Sequence, residues 1–398
     1  MRTAALYLTL GSAATILFSI AASQILLALA LVALLASDIR LRLPPIALPL
    51  GLFLLGTLIS LALSPDPSRG LVQVRKVFVY TILIACYSAV REITTLRRLM
   101  QAWAVVGGLV AVRGLVQFGS RWTEARAHGA DFYQDYVGQR ISGFMGHWMT
   151  FGSQEMYVAL MLAAFLLFSS HARNRRWIWG LMAIVLLAAI VLGFTRSIWI
   201  ALATGLVYLV WNRRRVWVLA LPAVAAAGFL LAPASVRSRA TSILQPGKAD
   251  SNLHRVVTWR TGIEMVKAHP WFGLGPEFVR IEFDQYVPAD IVRPLPTGWY
   301  GHLHNVYLHY AAERGIPTML MLLWMFARML VDYWRALGAL PPEQNDRRFL
   351  LHGAIAVVIA TMIVGLFELN LGDSEVLTMF LVAASAGYVA AEPEEQNA

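Results

Sequence analysis

Apolar runs about as long as a bilayer is thick dominate this chain. A helix needs about 20 apolar residues to cross the hydrocarbon core, and such runs recur as far as residue 391. Of the 398 residues, 58% are hydrophobic and 14% are charged, whereas soluble proteins average about 45–50% and about 25%. The pattern excludes an ordinary soluble enzyme and a disordered chain. It predicts an all-α integral membrane protein.

The runs predict about twelve transmembrane helices. Residues 3–37 are too long for one span and contain the polar interruption Ser19–Gln24, so they predict two short helices. The other predicted spans are 45–63, 74–90, 99–118, 153–170, 177–194, 197–211, 216–232, 316–334, 349–369 and 374–391.

Arginines predict the orientation. If the N-terminus is inside, the short loops of one face collect Arg2, Arg40, Arg42, Arg91, Arg97, Arg98, Arg173, Arg175, Arg176, Arg213, Arg214, Arg215, Arg335, Arg347 and Arg348. Cytoplasmic loops carry such an excess of positive charge. We therefore expect both termini in the cytoplasm.

Three regions follow from this topology. Residues 1–232 hold the first nine helices, with a shorter outer loop at about 119–152. Residues 233–315 form a large helical outer loop that we expect to carry the active site, and residues 316–398 hold three helices and a cytoplasmic tail. Within the large loop, Ser251 or Asn252 can cap a helix that runs to about Ala268, and a second helix begins near His304.

Several partners are excluded by the same reading. The chain has no Walker A motif, no glycine-rich dinucleotide fingerprint and no carboxylate pair for a nucleotide-sugar metal. The predicted cytoplasmic loops are too short for an ATP-binding domain. Part of the net charge of +10 comes from the arginines that set orientation, so it does not by itself predict nucleic acid as a partner.

The outer face carries cations that orientation does not require. They are Arg140, Arg196, Arg237, Arg239, Lys248, Arg255, Arg260, Lys267, Arg280, Arg293 and Arg314. Arg196 lies in a short turn between two apolar helices, where an arginine must reach the interface or meet an anion. It is a candidate anion ligand.

Two arginines of the 252–268 helix differ in their predicted partners. Arg260 lies about 140° around the helix from Arg255. It can pair with Glu264 at i+4, which favours a structural role. Arg255 has no acidic residue at i±3 or i±4. We therefore expect Arg255 to be the freer of the two to bind an anion.

Histidines cluster just before the tenth span, at His302, His304 and His309, with Asn305 among them. Histidine suits proton transfer near neutral pH. Two histidines at i, i+2 could also ligate zinc, but no third ligand has motif spacing, so we predict no metal and no cofactor. The residues alone leave open whether His302 or His304 faces the site.

Together, these groups predict glycosyl transfer on the outer leaflet. Arginines bind phosphate through two hydrogen bonds and stay charged. A lipid-linked pyrophosphate leaves readily when its charge is neutralised, and a histidine can take the proton of an attacking hydroxyl.

The ordered motifs resemble the bacterial O-antigen ligase/polymerase family. They are Thr195-Arg196-Ser197, Arg255-Val-Val-Thr-Trp259, His269-Pro270-Trp-Phe-Gly273-Leu-Gly275-Pro276, His304-Asn305-Val-Tyr-Leu308 and Glu313-Arg-Gly315. The resemblance covers about residues 180–370, and length and span number look most like the lipopolysaccharide O-antigen ligase.

The resemblance implies a multi-pass protein of the bacterial inner membrane that takes O-antigen from undecaprenyl pyrophosphate on the periplasmic side. A ligase moves it to lipid A–core, with inversion and without metal, nucleotide or ATP. By this likeness His304 is the general base, and Arg196 and Arg255 bind pyrophosphate. Arg140, Arg260, His302 and Asn305 are further candidates for substrate binding.

Two alternatives remain. One is an O-antigen polymerase or a protein O-oligosaccharyltransferase of the same family. The other is a transporter of polyprenyl-linked glycans, which would be expected to carry ionisable sites near the bilayer midplane, often in repeated halves. No repeat is evident, and the candidate residues lie in predicted outer loops, which disfavours transport.

Overall fold

The computed structural model describes residues 1–129, 131–242 and 250–393, without the side chains of Asp250 and Ser251. Lys248 and the end of the acidic tail lie outside the described residues. Within these ranges the chain is helical and contains no strand. The helices are α1 (Arg2–Thr15), α2 (Ile20–Leu35), α3 (Ala47–Leu63), α4 (Pro67–Arg75), α5 (Val77–Ala89), α6 (Ile93–Ala127), α7 (Phe132–Gly138), α8 (Trp148–Phe168), α9 (Arg176–Leu192), α10 (Arg196–Arg213), α11 (Arg215–Val218), α12 (Leu221–Leu231), α13 (Ala234–Thr241), α14 (Asp250–Ala268), α15 (Phe278–Glu282), α16 (Val306–Ala339), α17 (Asn345–Val364) and α18 (Ser374–Ala391).

Seven helical segments in the described ranges are long and apolar enough to cross a membrane. They are Pro67–Ala89, Ile93–Ala127, Trp148–Phe168, Ser170–Leu192, Val306–Ala339, Asn345–Val364 and Ser374–Ala391. Shorter apolar helices cover Ile20–Leu35, Ala47–Leu63 and Arg215–Leu231. Every predicted apolar segment therefore coincides with one helix or an adjacent pair, and the number of membrane crossings stays a prediction.

Three helices, α8, α17 and α18, form the centre of the bundle. Most residues of α8 are buried, including polar ones. A helix that is apolar all round is either buried among other helices or faces lipid, and α8 is of the first kind, with α17 in close approach. An added Cβ at Gly353 of α17 would lie 2.6 Å from the sulfur of Met161 in α8. The outer helices instead expose apolar side chains such as Leu109 and Leu231.

Helix α16 is broken near its first third, where Gly315 has φ 83° and ψ 160°. Pro317 follows and has no N–H to donate to the carbonyl of Glu313. That carbonyl instead accepts hydrogen bonds from the backbone N–H of Gly275 at 2.9 Å and from the hydroxyl of Ser60 at 2.7 Å. The break is tolerated because other parts of the protein satisfy the freed carbonyl.

The loop after α14 forms further hydrogen bonds with α16 on both sides of the break. Ile316 donates its N–H to the carbonyl of Pro270 at 2.8 Å, and Leu274 donates to the carbonyl of Ala312 at 2.9 Å. The fit is tight, because an added Cβ at Gly315 would lie 2.0 Å from the carbonyl oxygen of Trp271. The end of α14 is thus fixed to the start of α16.

The segment before α16 has an apolar core of its own. Val257 and Met265 of α14 pack with Phe278, Leu303 and Ala312. The described helix α14 begins at Asp250, so neither of the predicted capping residues lies at its boundary. Asn305 caps α16, because its side-chain oxygen accepts from the N–H groups of Tyr307 and Leu308 at 3.0 Å each.

Candidate active site

A large cavity of about 1060 Å³ lies between the described outer loop segments and the ends of the bundle helices. It is lined by six predicted outer-face arginines, by the histidine cluster and by two further histidines. These lining residues are Arg140, Arg196, Arg239, Arg255, Arg280, Arg314, His147, His254, His302, His304 and His309. The structure therefore brings Arg196, Arg255 and His304 together around one space.

Arg196 is the first residue of α10 and is 8% exposed. The preceding turn is held from outside, since Tyr136 of α7 donates its hydroxyl to the carbonyl of Leu192 at 2.7 Å. The guanidinium donates to the backbone carbonyl of Ser242 at 2.9 Å and to the side chain of Asn252 at 2.8 Å. Helix α14 thus helps to aim Arg196 into the cavity.

Arg255 has an acidic partner, although none stands at i±3 or i±4 on its own helix. Its Nη2 donates to Oε1 of Glu368 at 2.6 Å. Side-chain spacing along α14 could not reveal this partner, because Glu368 follows α17, 113 residues away in sequence. The pair lines the cavity and is mostly buried, with 22% of the arginine side chain and 9% of the glutamate side chain exposed.

The cavity arginines lie close enough to repel one another. Burial, followed by the positive charge of Arg239, lowers the pKa of Arg140 to about 9, and Arg196 adds to this effect. Arg140 still carries a proton at neutral pH. Its guanidinium lies over the ring of Trp148, 4.8 Å from the centroid. Converging buried cations favour an anionic ligand, because such a ligand relieves the repulsion.

His304 has a strained backbone with φ 48°. Flanking contacts hold it, since Val306 donates its N–H to the carbonyl of Gly365 at 2.7 Å and Asn305 donates its side-chain amide to the carbonyl of Leu366 at 3.2 Å. Residues in sparsely populated backbone regions cluster at active sites, where the surroundings over-determine them. This strain marks His304 as a functional candidate.

All three non-glycine residues with positive φ in the described ranges lie at this cavity or next to it. Besides His304 they are Phe194, two residues before Arg196, and Glu277, which lines the cavity. The carbonyl of Phe194 also accepts from Nε of Arg239 at 2.9 Å. Strain and anion-binding groups therefore coincide.

The other histidines differ from His304 in their surroundings. Burial, followed by the charge of His304, lowers the pKa of His302 to about 2 and that of His254 to about 4. Both rings are neutral at physiological pH and are weak bases. His304 instead places Nδ1 3.2 Å from Oε2 of Glu368. This carboxylate favours His304 over His302 as the proton acceptor.

Two predicted candidates lie outside the described lining of the cavity. Arg260 is exposed and donates to Asp290 at 2.8 Å, so the predicted pair with Glu264 is wrong. Glu264 pairs with Lys267 at 2.8 Å instead. Asn305 caps α16, and its side-chain amide donates a hydrogen bond to the carbonyl of Leu366.

Glu368, Arg239 and His254 line the cavity but were not among the predicted site residues. The sequence predicted Arg239 only as one of the outer-face cations. Glu368 stood out in the sequence only as an acidic residue near the end of the predicted span 349–369, and no spacing rule connects it with the histidine cluster. Among the described residues, no group of three or more His, Cys, Asp or Glu side chains is arranged to hold a metal ion.

These features define a helical, multi-pass membrane protein with a cationic cavity beside a histidine–carboxylate pair. A family model described as O-antigen ligase matches residues 181–323, which include α10, α14 and the start of α16. This match confirms the family resemblance: residues 181–323 are similar to the O-antigen ligase family, whose enzymes transfer glycosyl groups in ligase or polymerase reactions. No curated protein matches the chain.

Proposed function

We propose that this protein is the ligase of the family. It would transfer O-antigen polysaccharide from undecaprenyl pyrophosphate to lipid A–core on the periplasmic face of the bacterial inner membrane. The observation that carries the proposal is the convergence of Arg196, Arg255 and His304 on one cavity of about 1060 Å³. That space exceeds what a pyrophosphate group needs and leaves room for sugar units of both substrates.

The donor's pyrophosphate would bind among the arginines. Arg140, Arg196, Arg239 and Arg255 supply fixed positive charge in a mostly buried setting, where charged hydrogen bonds are strong. A guanidinium keeps its proton throughout the reaction, so these groups can neutralise the leaving group without taking part in proton transfer.

The acceptor hydroxyl would react next to His304. Its oxygen attacks the anomeric carbon of the donor sugar, and the bond from that carbon to the pyrophosphate oxygen breaks. The hydroxyl proton passes to the imidazole, and undecaprenyl pyrophosphate leaves with its charge held by the arginines. Direct attack from the opposite face inverts the anomeric centre, and no metal or nucleotide takes part.

Gene deletion in a strain of known lipopolysaccharide separates ligase from polymerase. Loss of a ligase leaves long glycan on the polyprenyl carrier and a bare core. Loss of a polymerase leaves a single repeat on the core. If neither pattern appears, both readings fail.

Purified protein tests transfer directly. With a polyprenyl-pyrophosphate glycan and lipid A–core in detergent, we expect covalent transfer that persists in the presence of a metal chelator. Abolition by the chelator would contradict the metal-independent mechanism. Donor movement across vesicles without transfer would favour a transporter.

A further inference from the structure

We propose that Glu368 is a positioning residue that aligns the base with the phosphate-binding arginine. The inference rests on the proposed function and adds a residue that lies outside the segment matched by the family. Glu368 touches His304 through one carboxylate oxygen and Arg255 through the other. It therefore connects the group that takes the proton with a group that holds the leaving anion.

The hydrogen bond to His304 selects a tautomer. An ionised carboxylate can only accept a hydrogen bond, so its partner nitrogen must carry a proton. The contact of 3.2 Å between Nδ1 and Oε2 therefore favours hydrogen on Nδ1. Nε2 then carries the lone pair that a general base needs. Nε2 is buried, and the described residues offer it no hydrogen-bond partner, so it remains available to an acceptor hydroxyl.

Access to Nε2 requires a small movement of a neighbouring side chain. The ring centroid of His302 lies 4.0 Å from that of His304, and the ring centroid of His254 lies 5.1 Å from that of His304. Both are neutral, so displacing either ring moves no charge.

Glu368 is itself held in place. Its side chain is 9% exposed, and the preceding Gly365 and Leu366 are bound to the segment around His304 by the hydrogen bonds of Val306 and Asn305. These hydrogen bonds join the loop after α17 to the start of α16. A carboxylate in such a setting fixes the imidazole orientation before any substrate arrives.

The negative charge of Glu368 also matters for its role. Burial raises the pKa of Glu368, but the hydrogen bond from His304 and the charge of Arg255 outweigh it, so the pKa lies below its usual value and the group is ionised. When His304 takes the hydroxyl proton, it becomes a cation beside this carboxylate. Its attraction for Glu368 then competes with that of Arg255, which makes Arg255 more available to the departing pyrophosphate.

The test compares Glu368→Gln with Glu368→Asp in the full-length purified protein. The amide keeps the size of the side chain but not its charge. We expect kcat to fall between about 10-fold and about 10⁴-fold, the upper figure being the cost of the equivalent Asp→Asn change in a serine-protease triad. The KM for the donor should stay unchanged or fall, because Arg255 loses its competing carboxylate. The aspartate variant should recover part of kcat.

The pH profile provides a readout that a purely structural role would not move. A carboxylate stabilises the protonated imidazole, so its removal makes the ring lose its proton at lower pH. The acidic limb of kcat should therefore shift to lower pH in Glu368→Gln. The titratable groups that interact with His304 are His147, His254, His302 and Glu368, with Arg255 on the other oxygen of Glu368, and only Glu368 is altered.

Glu264→Gln is the matched control, since it removes a surface carboxylate that pairs with Lys267. It should leave rate and profile unchanged. A double variant with His304→Ala should be no slower than His304→Ala alone, because Glu368 acts through His304.

Two different results overturn two different claims. If His304→Ala retains transfer, or the wild-type protein shows none, the proposed function fails. If His304→Ala is inactive but Glu368→Gln matches wild type in kcat and pH profile, the role of Glu368 fails. An extra loss in the double variant, or a raised donor KM with an unshifted profile, also overturns the role of Glu368.

Discussion

Helix α14 carries an arginine–carboxylate pair on each of two faces, and the two pairs differ in exposure and in neighbours. On the cavity face, Arg255 meets Glu368 at 2.6 Å with only 22% and 9% of the side chains exposed. On the solvent face, Arg260 meets Asp290 at 2.8 Å with 46% and 66% exposed. The bonds are of similar length, so distance alone does not reveal which pair matters.

The difference lies in the surroundings. An exposed pair is screened by water and salt and contributes little. A buried pair interacts in a lower dielectric, and removing one partner leaves an uncompensated charge. The cavity pair also touches His304, whereas neither member of the solvent pair is among the described lining residues. The two faces can therefore be tested against each other.

The largest effect is expected for His304→Ala. Loss of the general base should reduce transfer by about 10²–10⁴-fold. Initial rates of glycan transfer to lipid A–core measure it, with size-exclusion profiles to verify folding. Near-normal transfer would remove His304 from the mechanism and leave the cavity face without a base.

Arg255→Ala should rank next. Loss of one preorganised donor to a developing anion costs about 10²–10³-fold in kcat. Arg255→Lys should recover only part of this, because an ammonium lacks the planar fork of a guanidinium. Arg260→Ala is the matched control on the other face. Equal losses in both alanine variants would abolish the distinction between the faces.

His302→Ala should lower the rate by less than the roughly 10²-fold minimum expected for a base. Its low pKa keeps the ring neutral, so it supports His304 by ring packing, with centroids 4.0 Å apart, and by accepting a hydrogen bond from the His304 backbone N–H at 3.2 Å. Rates of the two histidine variants, measured side by side, check the order. A deeper loss in His302→Ala would reverse the assignment of the base.

The smallest effect is expected for Asp290→Asn on the solvent face. The pair with Arg260 is exposed on both sides, so transfer and thermal stability should stay close to wild type at physiological salt. A thermal unfolding scan in detergent, together with the transfer assay, measures both. A marked loss of either would show that the solvent face has a role that its exposure does not indicate.

The apolar pattern predicted the helices well because hydrophobic length is a local property. The outer-face cations and the histidine cluster, together with the family resemblance, led to Arg196, Arg255 and His304, which the structure brings to one cavity. The predicted Arg260–Glu264 pair failed because helical spacing shows only which residues can meet, and Asp290 in a neighbouring loop competes for the same guanidinium. Glu368 was missed because its partners are 113 and 64 residues away, a tertiary relation that no local spacing encodes.

The break in α16 limits how the outer loop can be separated from the membrane helices. The backbone of residues 270–275 is hydrogen-bonded to Ala312, Glu313 and Ile316 at the entry to a long apolar helix. Ser60 of α3 contributes from the opposite side. A soluble fragment made of the outer loop alone would lose these partners, and Glu368 with them. The catalytic unit is therefore not excisable: expressed without its bundle, the loop would retain Arg255 and His304 but lack the frame that sets the distance between them.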